Sequence, residues 1–202
     1  MQNYSEQELI DFETGICDHF NAGEIKAPVH LYDGNEEEMI KVFKDVKDDD
    51  WVFCTWRSHY QCMLKGVPLD ELKKDILAGK SITLCYPKQR IYSSAIVTGS
   101  IPIATGTAFD IKRKGGTNHV WCFVGDMAAE TGSFYENHKY AVNFGLPITY
   151  VVEDNAKSVC TPTQDVWNQD KHSFSLPGIP KVIYYTYETK YPHAGAGKRI
   201  QF

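Results

Sequence analysis

The chain has 202 residues, 43% hydrophobic and 23% charged, which suits one globular domain with its own core. A net charge of −5 argues against nucleic acid or an anionic membrane as partner, and Lys112-Arg113-Lys114 reads as a solvated helix end. Residues 1–8 are polar, no apolar run approaches the roughly 20 residues of a membrane span, and the six cysteines lack CxxC spacing, so reduced, mostly buried thiols in the cytoplasm are expected.

Ser5 and Glu8 form a capping-box pattern, after which Leu9, Phe12, Ile16 and Phe20 recur at helical spacing as far as Gly23. The turn-rich HLYDGNEEE leads into a second helix carrying Met39, Ile40 and Phe43. WVFCTW, residues 51–56, reads as a buried strand. Pro68 begins a helix with Leu69, Leu72 and Ile76 on one face, closed by Gly79. Residues 82–92 show no period and are expected to be loop. Pro102 opens a helix rich in small residues that ends at Gly115-Gly116. HVWCFVGD, a helix over about 133–144 and LPITYVVEDN then give a strand, helix and strand, and KVIYYTYET a further strand before a Gly-rich basic tail.

Strands that are apolar throughout, joined by a helix, predict a right-handed βαβ unit and an α/β fold with a parallel sheet flanked by helices. Ligands in such sheets sit beyond the carboxyl ends of the strands. Asp126 and Asn155 both lie there, 29 positions apart (155 − 126), about one crossover. A carboxylate and an amide oxygen suit Mg²⁺, although Gly-Asp and Asp-Asn are also routine turn and cap residues.

GDMAAETGSFYENHKYAVNFGLPITYVVEDN resembles the GDG…NN signature of thiamine diphosphate enzymes, specifically the α subunit of 2-oxo acid dehydrogenase E1 components. HLYDGNEE resembles that family's HLYxGQEA, DDDWVFCTWRSHY its DD-x-V-F-x-x-YRxHG, and AIVTGSIPIATGTA its GIVGAQVPLGAGIA. The resemblance implies a thiamine diphosphate-binding fold of the diphosphate-binding type, one domain over 1–202, with 182–202 a strand plus tail at a subunit interface. It implies Mg²⁺ on Asp126, Asn155 and the Lys157 carbonyl, with Gly125, Met127 and Ala128 around it and Arg57, beside Trp56, gripping the diphosphate. The Ala95 and Val97 backbones would hold the aminopyrimidine, and His30 and His59 would sit near the reactive carbon or the diphosphate. His193 is either the family's late-loop histidine or an unrelated loop histidine.

Departures from the family are Met127 for the third glycine of GDG, Asp154 for the first Asn of NN, and Thr83 for an expected His. Thr131 and Lys139 stand where Glu and Asn are usual, and the sequence is much shorter than E1α chains. The activating glutamate belongs in this family to a pyrimidine-binding domain on a β subunit, so the resemblance implies a β partner and an α2β2 assembly. The exposed aromatics Tyr184, Tyr185, Tyr187 and Tyr191 belong either to that interface or to strand packing. The implied function is an α-type subunit that decarboxylates or cleaves a 2-oxo compound and passes the acyl carbanion to an acceptor. The alternatives are transketolase-like two-carbon transfer in sugar metabolism, or a catalytically degenerate binding subunit.

Overall fold

The computed structural model describes residues 2–193 and 201–202. The first helix, α1 (Glu6–Asn21), starts as its capping box requires, with the Ser5 N–H donating to Glu8 Oε2 at 2.8 Å and the Glu8 N–H to Ser5 Oγ at 3.3 Å. It is followed by α2 (Glu36–Phe43), β1 (Trp51–Cys54), α3 (His59–Leu64) and α4 (Leu69–Asp75). Gly34, before α2, has φ +84°, and a Cβ there would lie 2.1 Å from the Glu188 carbonyl oxygen. Only glycine allows that approach, which ties the HLYDG turn to the carboxyl-terminal strand segment.

Two expectations need correction here. Residues 82–92 are not simply loop: β2 (Cys85–Tyr86) and β3 (Ile91–Ser93) lie within or overlap them, and Ile91 pairs with Val52 of β1. Strands this short carry no readable alternation, and their partners are distant in sequence. Leu69, the first residue of α4, is 39% exposed, whereas Leu72 and Ile76 are fully buried; α4 then passes into a π turn over Ile76–Lys80 with Gly79 at φ +84°.

The chain continues through α5 (Ser100–Arg113), β4 (Val120–Gly125), the short α6 (Asp126–Ala129), α7 (Gly132–Asn143) and β5 (Ile148–Asp154). A small hairpin, β6 (Lys157–Ser158) with β7 (Thr161–Pro162), then α8 (Thr163–Trp167) and β8 (Val182–Thr186) complete it. The main sheet has the order β2-β3-β1-β4-β5-β8, parallel except where β2 meets β3. Two apolar cores cover its faces. Val52, Cys54, Trp121, Phe123 and Val151 point toward α1–α4, while Phe53, Cys122, Val124, Tyr150 and Val152 point toward α5 and α7. Burial on both faces is why β1, β4 and β5 read as continuous apolar runs.

Cys17, Cys54, Cys62 and Cys122 are buried and Cys85 and Cys160 exposed, all as free thiols. No helix among the described residues is long and apolar enough to cross a membrane. Most of the Gly-rich tail, residues 194–200, lies outside the described residues. The aromatics expected to be exposed are not. Tyr185 is buried with its hydroxyl on Glu153 at 2.7 Å, Tyr184 donates to Asp154, and Tyr187 and Tyr191 are half-buried. Strand packing and carboxylate partners account for Tyr184 and Tyr185, and the Tyr187 hydroxyl accepts from Arg57.

Candidate functional site

The carboxyl ends of β1, β4 and β5 open onto a cleft of about 750 Å³, part of it open to solvent. Its walls include Trp56 and Arg57 after β1, Val97 on the loop before α5, Gly125–Ala128 after β4, Asn155 and Lys157 after β5, and His193. Elements far apart in sequence converge because parallel strands deliver their ends to one edge.

Asp126 is 2% exposed. Burial raises its carboxyl to about 6; the hydrogen bond from Thr163 opposes the rise and the charge of Asp154 adds to it. Thr163 Oγ1 donates to Asp126 Oδ2 at 2.5 Å, and among the described residues no lysine or arginine forms an ion pair with that carboxylate. A buried carboxylate with neither lysine nor arginine on it, and only the His172 ring nitrogen nearby at 3.8 Å, is a fitting place for a metal ion. Asn155 closes a turn, its Oδ1 accepting the Lys157 N–H at 3.2 Å, and that oxygen keeps a further lone pair. The following backbone is left-handed at Ala156 and Val159 (φ +59° at both), folding β6 and β7 back under the cleft.

Arg57 is prepositioned: its Nε donates to the Leu31 carbonyl at 3.0 Å and its Nη1 to Tyr187 Oη at 3.4 Å. Trp56, His30 and His193 form an aromatic group, with 4.1 Å between the two imidazole centroids and 6.1 Å from Trp56 to His193. Burial, followed by the charges of His193 and Arg57, lowers His30 to about 2, and burial with Arg57 lowers His193. Both rings are therefore neutral near pH 7. His30 Nδ1 is buried without a hydrogen-bond partner.

The remaining expected residues divide. Val97 is 50% exposed and lines the cleft, whereas Ala95 is half-buried and is not among the cleft residues. Met127 lines the cleft, and its sulfur accepts the Trp167 indole N–H at 3.0 Å. His59 is a correction. It is completely buried, with Nδ1 at 2.9 Å from Glu13 Oε2 and Nε2 at 2.9 Å from Ser81 Oγ, and it does not line the cleft. Both ring nitrogens are occupied inside the helical layer, so it is a structural histidine.

Sequence reasoning missed Glu153 and His172 as site residues. Burial raises Glu153 to about 7, against hydrogen bonds from Tyr185 and Tyr32 and the charge of Arg57. Its place within an apolar strand was the available signal. His172 is 5% exposed and stands beside Asp126 and Asp154. Nothing in the aperiodic stretch around it marks it out.

Residues 4–179 match the family model for the dehydrogenase E1 component. The α subunit of acetoin:2,6-dichlorophenolindophenol oxidoreductase from Bacillus subtilis (strain 168) is 30% identical over 188 residues, covering 85% of this chain and 56% of that protein. The pyruvate dehydrogenase E1 component subunit alpha of Porphyra purpurea is 28% identical over 192 residues, covering 84% and 56%. The corresponding acetoin oxidoreductase subunit of Cupriavidus necator is 28% identical over 185 residues, covering 84% and 55%. The chain thus spans about half the length of the curated relatives it matches.

Proposed function

The chain belongs to the dehydrogenase E1 component family, and from that premise we propose that it is the α-type half of a two-chain enzyme dependent on thiamine diphosphate and Mg²⁺. The observation that carries the reading is the convergence of buried Asp126, half-buried Asn155 and exposed Lys157 on one strand-end cleft also lined by Arg57 and Trp56. Asp126 and Asn155 would hold the ion through side-chain oxygens and Lys157 through its carbonyl, a donor set of oxygens that suits Mg²⁺. Arg57 would bind the diphosphate through charge-assisted hydrogen bonds, from a position already set by Leu31 and Tyr187. Trp56, Val97, Gly125, Met127 and Ala128 would form the walls, with Ala95 acting only through its backbone.

The bound cofactor supplies an electron sink for breaking the bond next to a carbonyl. The imidazoles of His30 and His193 stack beside Trp56; His30, lowered to about 2, is too weak a base at pH 7 and would act as a hydrogen-bonding group through its unpartnered Nδ1, which leaves His193 as the proton-handling candidate. The substrate would be a small 2-oxo compound, decarboxylated or cleaved and its acyl group passed to an acceptor. A β subunit carrying the pyrimidine-binding domain and the activating glutamate would complete the site, in an α2β2 assembly placed in the cytoplasm. Residues 182–202 would join that interface.

Co-expression with a β-like chain, followed by calorimetry with thiamine diphosphate and Mg²⁺ and by 2-oxo acid turnover, tests the reading. Absence of cofactor binding by that complex sinks it. A binding subunit without turnover is favoured by one observation: Met127, capped by Trp167, occupies the cleft where the resemblance expects glycine. Cofactor binding without turnover of any 2-oxo acid or sugar donor would select that second reading.

A further inference from the structure

Asp126 faces a second set of donors that the cofactor reading leaves unused. His172 follows α8 in a stretch without regular structure and is 5% exposed. Its Nδ1 is held by Glu130 Oε1 at 2.8 Å, and Glu130 is itself anchored by the Ser173 N–H at 2.6 Å and the Ser173 hydroxyl at 2.8 Å. The other ring nitrogen, Nε2, is buried and has no hydrogen-bond partner. It points between two carboxylates, 3.8 Å from Asp126 Oδ2 and 3.9 Å from Asp154 Oδ2.

Those separations are too long for hydrogen bonds. They fit donors that share one ion at about 2.0–2.2 Å each. The three donor atoms lie within 4.8 Å of one another. Thr163 donates to Asp126 Oδ2 and Tyr184 to Asp154 Oδ2, so each oxygen is oriented by one bond and keeps a lone pair. The Ala156 N–H holds the other Asp154 oxygen at 2.7 Å. Glu130 on Nδ1 with no hydrogen-bond partner on Nε2 is the outer-shell arrangement found behind metal-bound histidines.

We propose that Asp126, Asp154 and His172 bind one divalent cation of the zinc and cobalt class, with Glu130 as the residue that positions the imidazole. One imidazole nitrogen beside two carboxylates suits such an ion and disfavours Mg²⁺, which prefers oxygen ligands alone. The site shares Asp126 with the proposed magnesium but uses neither Asn155 nor the Lys157 carbonyl. It needs no diphosphate and does not rest on the thiamine diphosphate reading.

The test titrates the full chain, free of thiamine diphosphate, with Co²⁺ and follows visible absorption. One Co²⁺ per chain is expected, displaced by Zn²⁺ and not by an excess of Mg²⁺. His172→Gln should weaken Co²⁺ binding on the order of 100-fold and Glu130→Gln about tenfold, both checked for folding by circular dichroism. Equal Co²⁺ affinity in wild type and His172→Gln, or an unchanged spectrum, overturns the proposal. X-ray absorption of the zinc-loaded wild-type chain keeps the test open should the variants fail to fold: imidazole scattering is expected, and oxygen-only ligation overturns it. Nitrogen NMR showing His172 protonated at both nitrogens and unmoved by Zn²⁺ would make the ring a counter-ion, which also overturns it. Cofactor binding by wild type with Mg²⁺ and the β partner is measured separately, and its failure would count against the function reading alone.

Discussion

Two buried histidines divide this molecule. His59, in the helical layer, has a carboxylate on Nδ1 and the Ser81 hydroxyl on Nε2, both at 2.9 Å. His172, at the strand-end edge, also has a carboxylate on Nδ1, yet its Nε2 meets only two distant carboxylate oxygens. Burial is nearly equal, 0% and 5%. What separates a structural imidazole from a candidate ligand is therefore the second nitrogen. Where it is satisfied, the ring holds helices together; where it is not, the ring is set up to bind something.

The largest effect that would sharpen this contrast is on stability. His59→Ala removes the buried ring from Glu13, which keeps only the Tyr32 N–H, and should cost about 3 kcal/mol in urea unfolding. His172→Ala leaves Glu130 with Ser173 and should cost about 1 kcal/mol. Equal losses would break the comparison.

A second contrast lies in pH. The Glu153 carboxyl, about 7 in the fold against an ordinary 4.5, keeps its proton where the unfolded chain releases it. Its contribution is full below pH 4.5 and is lost as pH rises to about 7. Across that window Glu153→Gln should remove about 3 kcal/mol of pH dependence relative to wild type, measured by thermal unfolding at several pH values. Next in size, Asp126→Asn should weaken Mg²⁺-dependent thiamine diphosphate binding about 100-fold while leaving the melting temperature within a few degrees, since Thr163 still has an acceptor. The smallest effect belongs to Met127→Ala. It frees the cleft from the pairing with Trp167 and should tighten cofactor binding about threefold by calorimetry; a loss of affinity would mean that Met127 contacts the ligand usefully.

Much of the fold was legible in the residues themselves. β4 and β5 announced themselves because burial on both faces makes them apolar over most of their length, and that pattern placed Asp126 at a strand end. The α1 start was legible because a capping box is a contact over three residues. β3 was not, because three residues give no period and its identity comes from pairing with β1 some 39 positions away (91 − 52). The aromatics of β8 misled for a related reason: their hydroxyls are satisfied by Glu153 and Asp154 on the neighbouring strand, which composition does not reveal.

By itself the sequence determined the α/β class, the order of its central elements and the strand-end pair Asp126 and Asn155, because local periodicity and strand ends are properties of short segments; Arg57 and Trp56 were reached only through the family resemblance of DDDWVFCTWRSHY. Only the tertiary structure decided what each histidine does. The partners of His59 lie 46 and 22 residues away and those of His172 lie 42, 46 and 18 residues away. An imidazole's role depends on which groups meet its two nitrogens, and here those groups arrive only when the sheet and its helical layers close.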